Sequence, residues 1–379
     1  MADIKGTCDP RFDMVKTAFA QNFDQGLDVG ASVAVVLEGE VVVDLWGGYT
    51  DEAKTTPWER DTIINVWSTT KTMTALCALM LADRGELDLY GKVAKYWPEF
   101  AAAGKENVEV RHLMAHTAGL SGWEEPMVAE DLYDWEKCTS LLAAQAPWWE
   151  PGTASGYHAI TQGYLVGEVV RRVAGESVGT FFAKELAGPL GADFHIGTPE
   201  ECDPRVALVI PPSGPLPIPE NPSEVLLKTF GNPPISAPQS WEIPWRRAEI
   251  PAGGGHGNAR SVAMVQSALS NGGETGGTRL LSAKGCEAVF DEQIQGVDLV
   301  LGLPVRLGMN YGLNSADLPI SPNPRACFWG GWGGSIVVND FDARMTVAYV
   351  MNRMGEGTMG DTRGASLVMA ALLTDVSGS

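Results

Sequence analysis

The clearest strand signals lie at the two ends of the chain, with most of its length between them. Residues 31 to 46, ASVAVVLEGEVVVDLW, set β-branched runs on either side of a Glu-Gly-Glu turn, which is a hairpin pattern. Near the other end, GSIVVND and MTVAYVMN flank a short Phe-Asp-Ala-Arg turn and read as a second neighbouring pair. Terminal strands with helices between them predict one sheet built from both termini, with a helical region inserted in it.

The interior supplies those helices. Over residues 68 to 83, Met73, Leu76, Cys77 and Met80 recur at helical spacing and Gly85 follows as a stop. A strand-like stretch, Thr62 to Val66, leads into it. Residues 107 to 190 are mainly helical. The best case is 160 to 174, with Leu165, Val169 and Val170 on one side and arginines at the C-terminal end. Residues 361 to 375 form a closing helix. The fold class is therefore α/β (α+β), a mostly antiparallel sheet flanked by helices. Residues 1–85 and 225–379 are expected to form the sheet domain and 86–224 a mainly helical domain, with any active site expected at their interface. A chain of 379 residues has room for about two such units.

Residues 211 to 251 depart from this pattern. Pro211, Pro212, Pro215, Pro217 and Pro219 exclude helix and central strand. A structureless segment this long is expected to lie over a site, with Trp241 and Trp245 covering part of a cleft.

Bulk properties remove several function classes. A net charge of −20 repels a polyanion, so no nucleic-acid partner is expected. No stretch approaches the roughly 20 apolar residues needed to span a bilayer. The opening MADIKGTCDPRFDMVK has no apolar run after a basic start, so a cytoplasmic location is expected. Six scattered cysteines lack a C-x-x-C pair and read as reduced thiols, and five histidines lack H-E-x-x-H. Neither a metal nor a cofactor is expected.

Chemistry enters at Ser68-Thr69-Thr70-Lys71. With 20 serines and 11 lysines in 379 residues, random order yields roughly 0.6 serine–lysine pairs at this spacing, so spacing alone decides little. A serine helix cap followed by a solvated lysine reads equally well. The positions are three apart on a first helical turn and share a side. The positive end of a helix favours an oxyanion near Ser68 and disfavours a charged Lys71, which suits a nucleophile with a proton acceptor. The nucleophile-elbow alternative fails at Ser121, which has Gly119 before it but Trp123 after it.

Two further stretches sharpen this reading. They are Gly156-Tyr157-His158-Ala159, after Glu150-Pro151-Gly152, and the glycine-rich run from Phe328 to Ser335. Together with LMAHTAGLSG at 113 to 122 and the block from 150 to 170, they resemble the serine β-lactamase and penicillin-binding protein superfamily. The resemblance is to its class C branch and, within it, the family VIII carboxylesterases. It implies that Ser68 forms an acyl-enzyme, that Lys71 helps take its proton, and that Tyr157 acts as general base. It also implies an oxyanion hole of the Ser68 and Trp332 amides, with Trp329, Gly330 and Gly331 in the place of K-T-G. By themselves, His116, His158 and His256 read as structural or loop histidines.

Two departures point to substrate. Ala159 replaces the asparagine of Y-x-N and removes an amide that would bind an acyl amide. Trp329 replaces the lysine of K-T-G, removing a cation for a substrate carboxylate and offering an apolar wall. Each loss disfavours β-lactams and D-alanyl peptides by about 1–3 kcal/mol. Trp241, Ala159 and the Trp329–Gly331 strand are the expected substrate contacts. The expected function is a carboxylesterase acting on small, short-chain esters. The alternatives are a β-lactamase, amide hydrolase or acyltransferase of the same superfamily, and a non-catalytic scaffold that retains the fold.

Overall fold

The computed structural model describes residues 3–214, 220–358 and 360–374. A nine-stranded antiparallel sheet organises it. In chain order its strands are β1 (Ile4–Cys8), β2 (Gly30–Leu37), β3 (Glu40–Gly48), β4 (Ile294–Val297), β5 (Pro304–Leu307), β6 (Gly312–Leu313), β7 (Ala326–Gly330), β8 (Ile336–Asp340) and β9 (Met345–Met351). The spatial order is β1-β3-β2-β9-β8-β7-β6-β5-β4, so the two ends of the chain meet where β9 pairs with β2.

The hairpin expected over 31 to 46 is β2–β3. Its turn residues Glu38 and Gly39 both have positive φ, 51° and 85°, which matches the right-handed twist of the flanking strands. The Phe-Asp-Ala-Arg turn joins β8 to β9 as read.

Seven principal helices are α1 (Asp13–Asp24), α2 (Thr70–Asp83), α3 (Trp135–Ala144), α4 (Thr161–Ala174), α5 (Glu224–Gly231), α6 (Ala259–Ser270) and α7 (Thr362–Leu372). α6 lies on β2, β8 and β9, while α1 and α7 pack together with α7 against β9. The central strands are buried along their whole length, as a sheet covered on both faces must be. α2 is buried on every side, packing on α4 and α6.

Three expectations change. Residues 211 to 251 are not structureless: α5, a turn of helix at Ala237–Trp241 and another at Ile243–Arg247 lie within them. Ser223 caps α5 by accepting from the Leu226 amide, and the two later turns carry proline in their first positions, where no amide donor is needed. Pro215, Pro217 and Pro219 lie outside the described residues, as does Asp375 of the expected closing helix. The stretch before Ser68 forms only Ile64–Asn65, in a separate three-stranded sheet with Phe194–His195 and His256–Gly257. His256 is thus a buried strand residue rather than a loop residue.

One buried ion cluster ties the two termini together. Arg363 on α7 bonds Asp28 at 2.9 Å and Asp361, and Tyr349 donates its hydroxyl to Asp28. The same guanidinium donates to the carbonyl of Gly333. Arg363→Leu leaves the Asp28 carboxylate buried without its cation. It is expected to cost about 3–5 kcal/mol in a urea unfolding titration, with the slope unchanged.

Candidate active site

The backbone reaches Ser68 through strain. Trp67 holds φ at 48°, an unusual value for a residue with a side chain, and α2 begins two residues after Ser68. Trp67 is kept there by packing. Its ring lies 4.9 Å from Trp332 and 5.6 Å from Trp245, and the Trp245 indole donates to Asn65 at 3.0 Å. The turn is also stapled to the sheet. Ser335 donates to the Val66 carbonyl at 2.9 Å and contacts Thr69 Oγ1 at 2.9 Å. Gly331 passes so close that a Cβ would overlap Val66 O and Ser335 Oγ.

Lys71 lies one turn on, fully buried, with no carboxylate in contact among the described residues. Its Nζ sits 2.7 Å from Ala159 O, 2.9 Å from Ala252 O, 3.1 Å from Ser68 Oγ and 3.2 Å from Tyr157 Oη. Burial pushes this amine well below the ordinary lysine range. A neutral amine suits the geometry: its two N–H bonds satisfy the two carbonyls, and its lone pair is left for the hydroxyls. Tyr157 Oη lies 2.6 Å from Ser68 Oγ, which closes a triangle. Burial holds the phenol above its usual range; the Ser68 hydrogen bond opposes this and the Asp298 charge adds to it. Burial thus favours the uncharged form of both amine and phenol.

The carbonyls around Lys71 come from two loops. Ala159 precedes α4. Ala252 opens the run Ala252 to Gly255, which wraps the nucleophile turn through Val66 N to Gly255 O and Gly255 N to Thr70 Oγ1, both 2.9 Å. Gly163 on α4 lets that loop close, since a Cβ there would overlap the Ala252 amide.

His158 and His116 are both engaged with main-chain groups. His158 accepts from the Leu120 amide through Nε2 and so must donate from Nδ1 to Gly156 O; burial lowers it to about 3. His116, at φ 59° just after the Val110–Met114 helix, accepts from the His158 amide. It too is buried and held well below its usual value by desolvation.

A cleft with roughly 610 Å³ of open space lies over Ser68. Tyr157, Ala159, Ile160 and Gly253 form one part of its lining, Trp67, Trp332 and Thr358 another, and Thr229, Phe230, Pro233 and Ile235 the rest. No charged side chain lines it among the described residues. Of the expected contacts, Ala159 and Trp332 face this space. Trp329 does not: it is buried, stacked on His116 at 5.3 Å and packed 6.1 Å from Tyr157, so it braces the tyrosine instead of forming a wall. Gly330 and Gly331 run beneath the nucleophile turn and are absent from the lining. Trp241 is also outside it, exposed, with its indole donating to Val209 O. Trp245 supports Trp67 from below.

The proline-rich segment still reaches the cleft, but through Phe230, Pro233 and Ile235. Asn232 anchors it, accepting from the Met127 amide and donating to the carbonyls of Trp123 and Glu125. Sequence reading overlooked these residues, together with Ser335, Asp298 and the Ala252 carbonyl. A hydrophobic residue on the amphipathic α5 was the one signal for Phe230; carbonyl ligands leave no signature in side-chain identity.

The beta-lactamase family model matches residues 19–370. The esterase/beta-lactamase LipL of Mycobacterium tuberculosis (strain ATCC 25618 / H37Rv) is 37% identical over 366 residues, covering 93% of this chain and 83% of that protein. A crystal structure of a family VIII carboxylesterase superposes with a TM-score of 0.93 at 45% identity, covering 97% of this chain and 99% of that one. A penicillin-binding protein homolog from Caulobacter crescentus gives 0.92 at 39% identity, with the same coverage.

Gly331→Ala tests the staple between strand and nucleophile turn. The added methyl is expected to cost about 1–3 kcal/mol of stability by thermal or denaturant unfolding, and to lower kcat in the protein that remains folded.

Proposed function

The chain belongs to the beta-lactamase family, and from that premise we propose that it is a carboxylesterase cleaving uncharged, short-chain esters through an acyl-enzyme on Ser68. The observation that carries this reading is a serine in contact with a buried amine and a phenol, beneath a cleft lined without charged side chains. The esterase-named relatives support it.

In the mechanism, Ser68 Oγ attacks the ester carbonyl carbon. Its proton passes to Tyr157 Oη as the tyrosine proton passes to neutral Lys71 Nζ. The Ser68 and Trp332 amides hold the oxyanion. The C–O bond to the alcohol breaks, and the alcohol leaves with the proton returned through Tyr157. Water then attacks the acyl carbon, loses its proton to the same pair, and the carboxylic acid departs as Ser68 Oγ is reprotonated.

Selectivity follows from what the cleft lacks. With the residue at 329 turned inward and alanine at 159, no cation or amide from these positions meets a substrate carboxylate or acyl amide. Residual β-lactam turnover is compatible with the shared chemistry, and ester turnover is expected to exceed it in kcat/KM. Phe230 and Ile235 line the cleft together with Ala159 and Ile160 and limit acyl length.

Four measurements test this. With p-nitrophenyl acetate and butyrate, Ser68→Ala should be inactive; equal rates in the two proteins would remove Ser68 from the mechanism. Lys71→Arg keeps a cation but loses the lone pair, and should lose at least about 10³-fold in kcat, since arginine stays protonated. The acidic limb of the wild-type kcat/KM profile, where Lys71 gains its proton, should lie well below the ordinary lysine value of 10.5. Phe230→Ala should move the preferred p-nitrophenyl ester toward longer acyl chains, by about fourfold in kcat/KM per newly accommodated methylene.

A further inference from the structure

Tyr157 sits in an irregular stretch between Ser155 and α4, not in a helix or strand. Something other than regular hydrogen bonding must fix its position. The contact comes from residues 298–303, which join β4 to β5 at the far edge of the sheet.

Asp298, 1% exposed, opens this tip. Its Oδ1 accepts from the Tyr157 amide at 3.0 Å and from the Val300 and Leu301 amides at 2.9 Å each. The Leu299 amide donates to Ser155 O at 2.8 Å. Gly302, at φ 67°, lets the tip fold back so that the Asp298 amide reaches Leu303 O. Val300 and Leu307 then pack into one small apolar cluster with Tyr157, Ala159 and Trp329. The edge hairpin therefore grips the backbone leading into the tyrosine, at Ser155 O and Tyr157 N, and packs against part of its surroundings.

A buried carboxylate with no cation among its partners is costly, and three amide bonds to one oxygen compensate for it. An asparagine would satisfy a single amide more cheaply. The carboxylate meets the tyrosine at its backbone amide, and its charge disfavours the ionised phenol.

We propose that Asp298 is a positioning residue for Tyr157, holding the phenol at Ser68 Oγ. The proposal rests on the acyl-enzyme reading of Ser68, Lys71 and Tyr157. It extends that reading to a residue remote in sequence from all three, on the opposite flank of the sheet from β2.

Asp298→Asn retains an oxygen acceptor and removes the charge; Asp298→Ala removes both. With p-nitrophenyl butyrate, kcat is expected to fall about tenfold in Asp298→Asn and about 100-fold in Asp298→Ala, with KM within about twofold of wild type. The rate of Ser68 labelling by a fluorophosphonate should fall in parallel, because it reports nucleophile activation without ester binding. Thermal unfolding of each variant is followed alongside. Wild-type kcat and labelling rate in a folded Asp298→Asn and Asp298→Ala would overturn the proposal, as would an Asp298→Asn protein that does not fold, which would make the role structural. Ser68→Ala separates the two levels: if it stays active, the acyl-enzyme reading fails; if it is inactive while the Asp298 variants are unaffected, only the positioning role fails.

Discussion

A lysine amine stripped of water is the constraint on which the site depends. Among the described residues Lys71 Nζ meets no carboxylate, only two main-chain carbonyls and two hydroxyls. Burying an ammonium ion that way is expensive, and the desolvation favours loss of its proton. A neutral amine is a base, and it stands against a serine and a tyrosine whose own burial keeps it protonated. The supporting structure keeps water out and the carbonyls in place. α2 is enclosed by α4 and α6, the Ala252–Gly255 loop is threaded past Gly163, and the Gly331 strand lies against the nucleophile turn.

That arrangement explains why the site draws on distant parts of the chain. The Ser68 turn belongs to the connection leaving the β2–β3 hairpin, Tyr157 to the helical region, Trp332 to the turn between β7 and β8, and the proposed clamp on the tyrosine to the β4–β5 edge. Each contributes a short irregular piece held by backbone bonds. The strained Trp67 is the sharpest case: its φ is maintained by the ring packing of Trp245 and Trp332 and by the Ser335 bond to Val66 O.

Much of this was legible in sequence wherever the signal was local. The Glu-Gly-Glu hairpin, the α2 and α4 stripes and the β8–β9 pair all announce themselves within a few residues, and the structure forms them. Ser68, Lys71 and Tyr157, chosen from motifs in order, come within hydrogen-bond reach of one another. What escaped had no local sign. The direction of the Trp329 side chain depends on which face of β7 meets His116, and residue type does not carry that. Proline content misled at 238 and 244, where the ring begins a helical turn instead of preventing one. Asp298 looked like one acidic residue among 47 in the chain. Only the folded hairpin shows that its charge is turned inward onto the tyrosine's amide.

The central claim is that an acyl group passes through Ser68 Oγ. Acid-quenching the wild-type protein during turnover of p-nitrophenyl butyrate, followed by peptide mass mapping, examines that bond directly. A butyryl adduct on the peptide holding Ser68, localised to that serine by fragmentation and lost on chase after the ester is consumed, is the predicted result. Turnover with the adduct on another residue, or an adduct on Ser68 that does not decay as product forms, would contradict it.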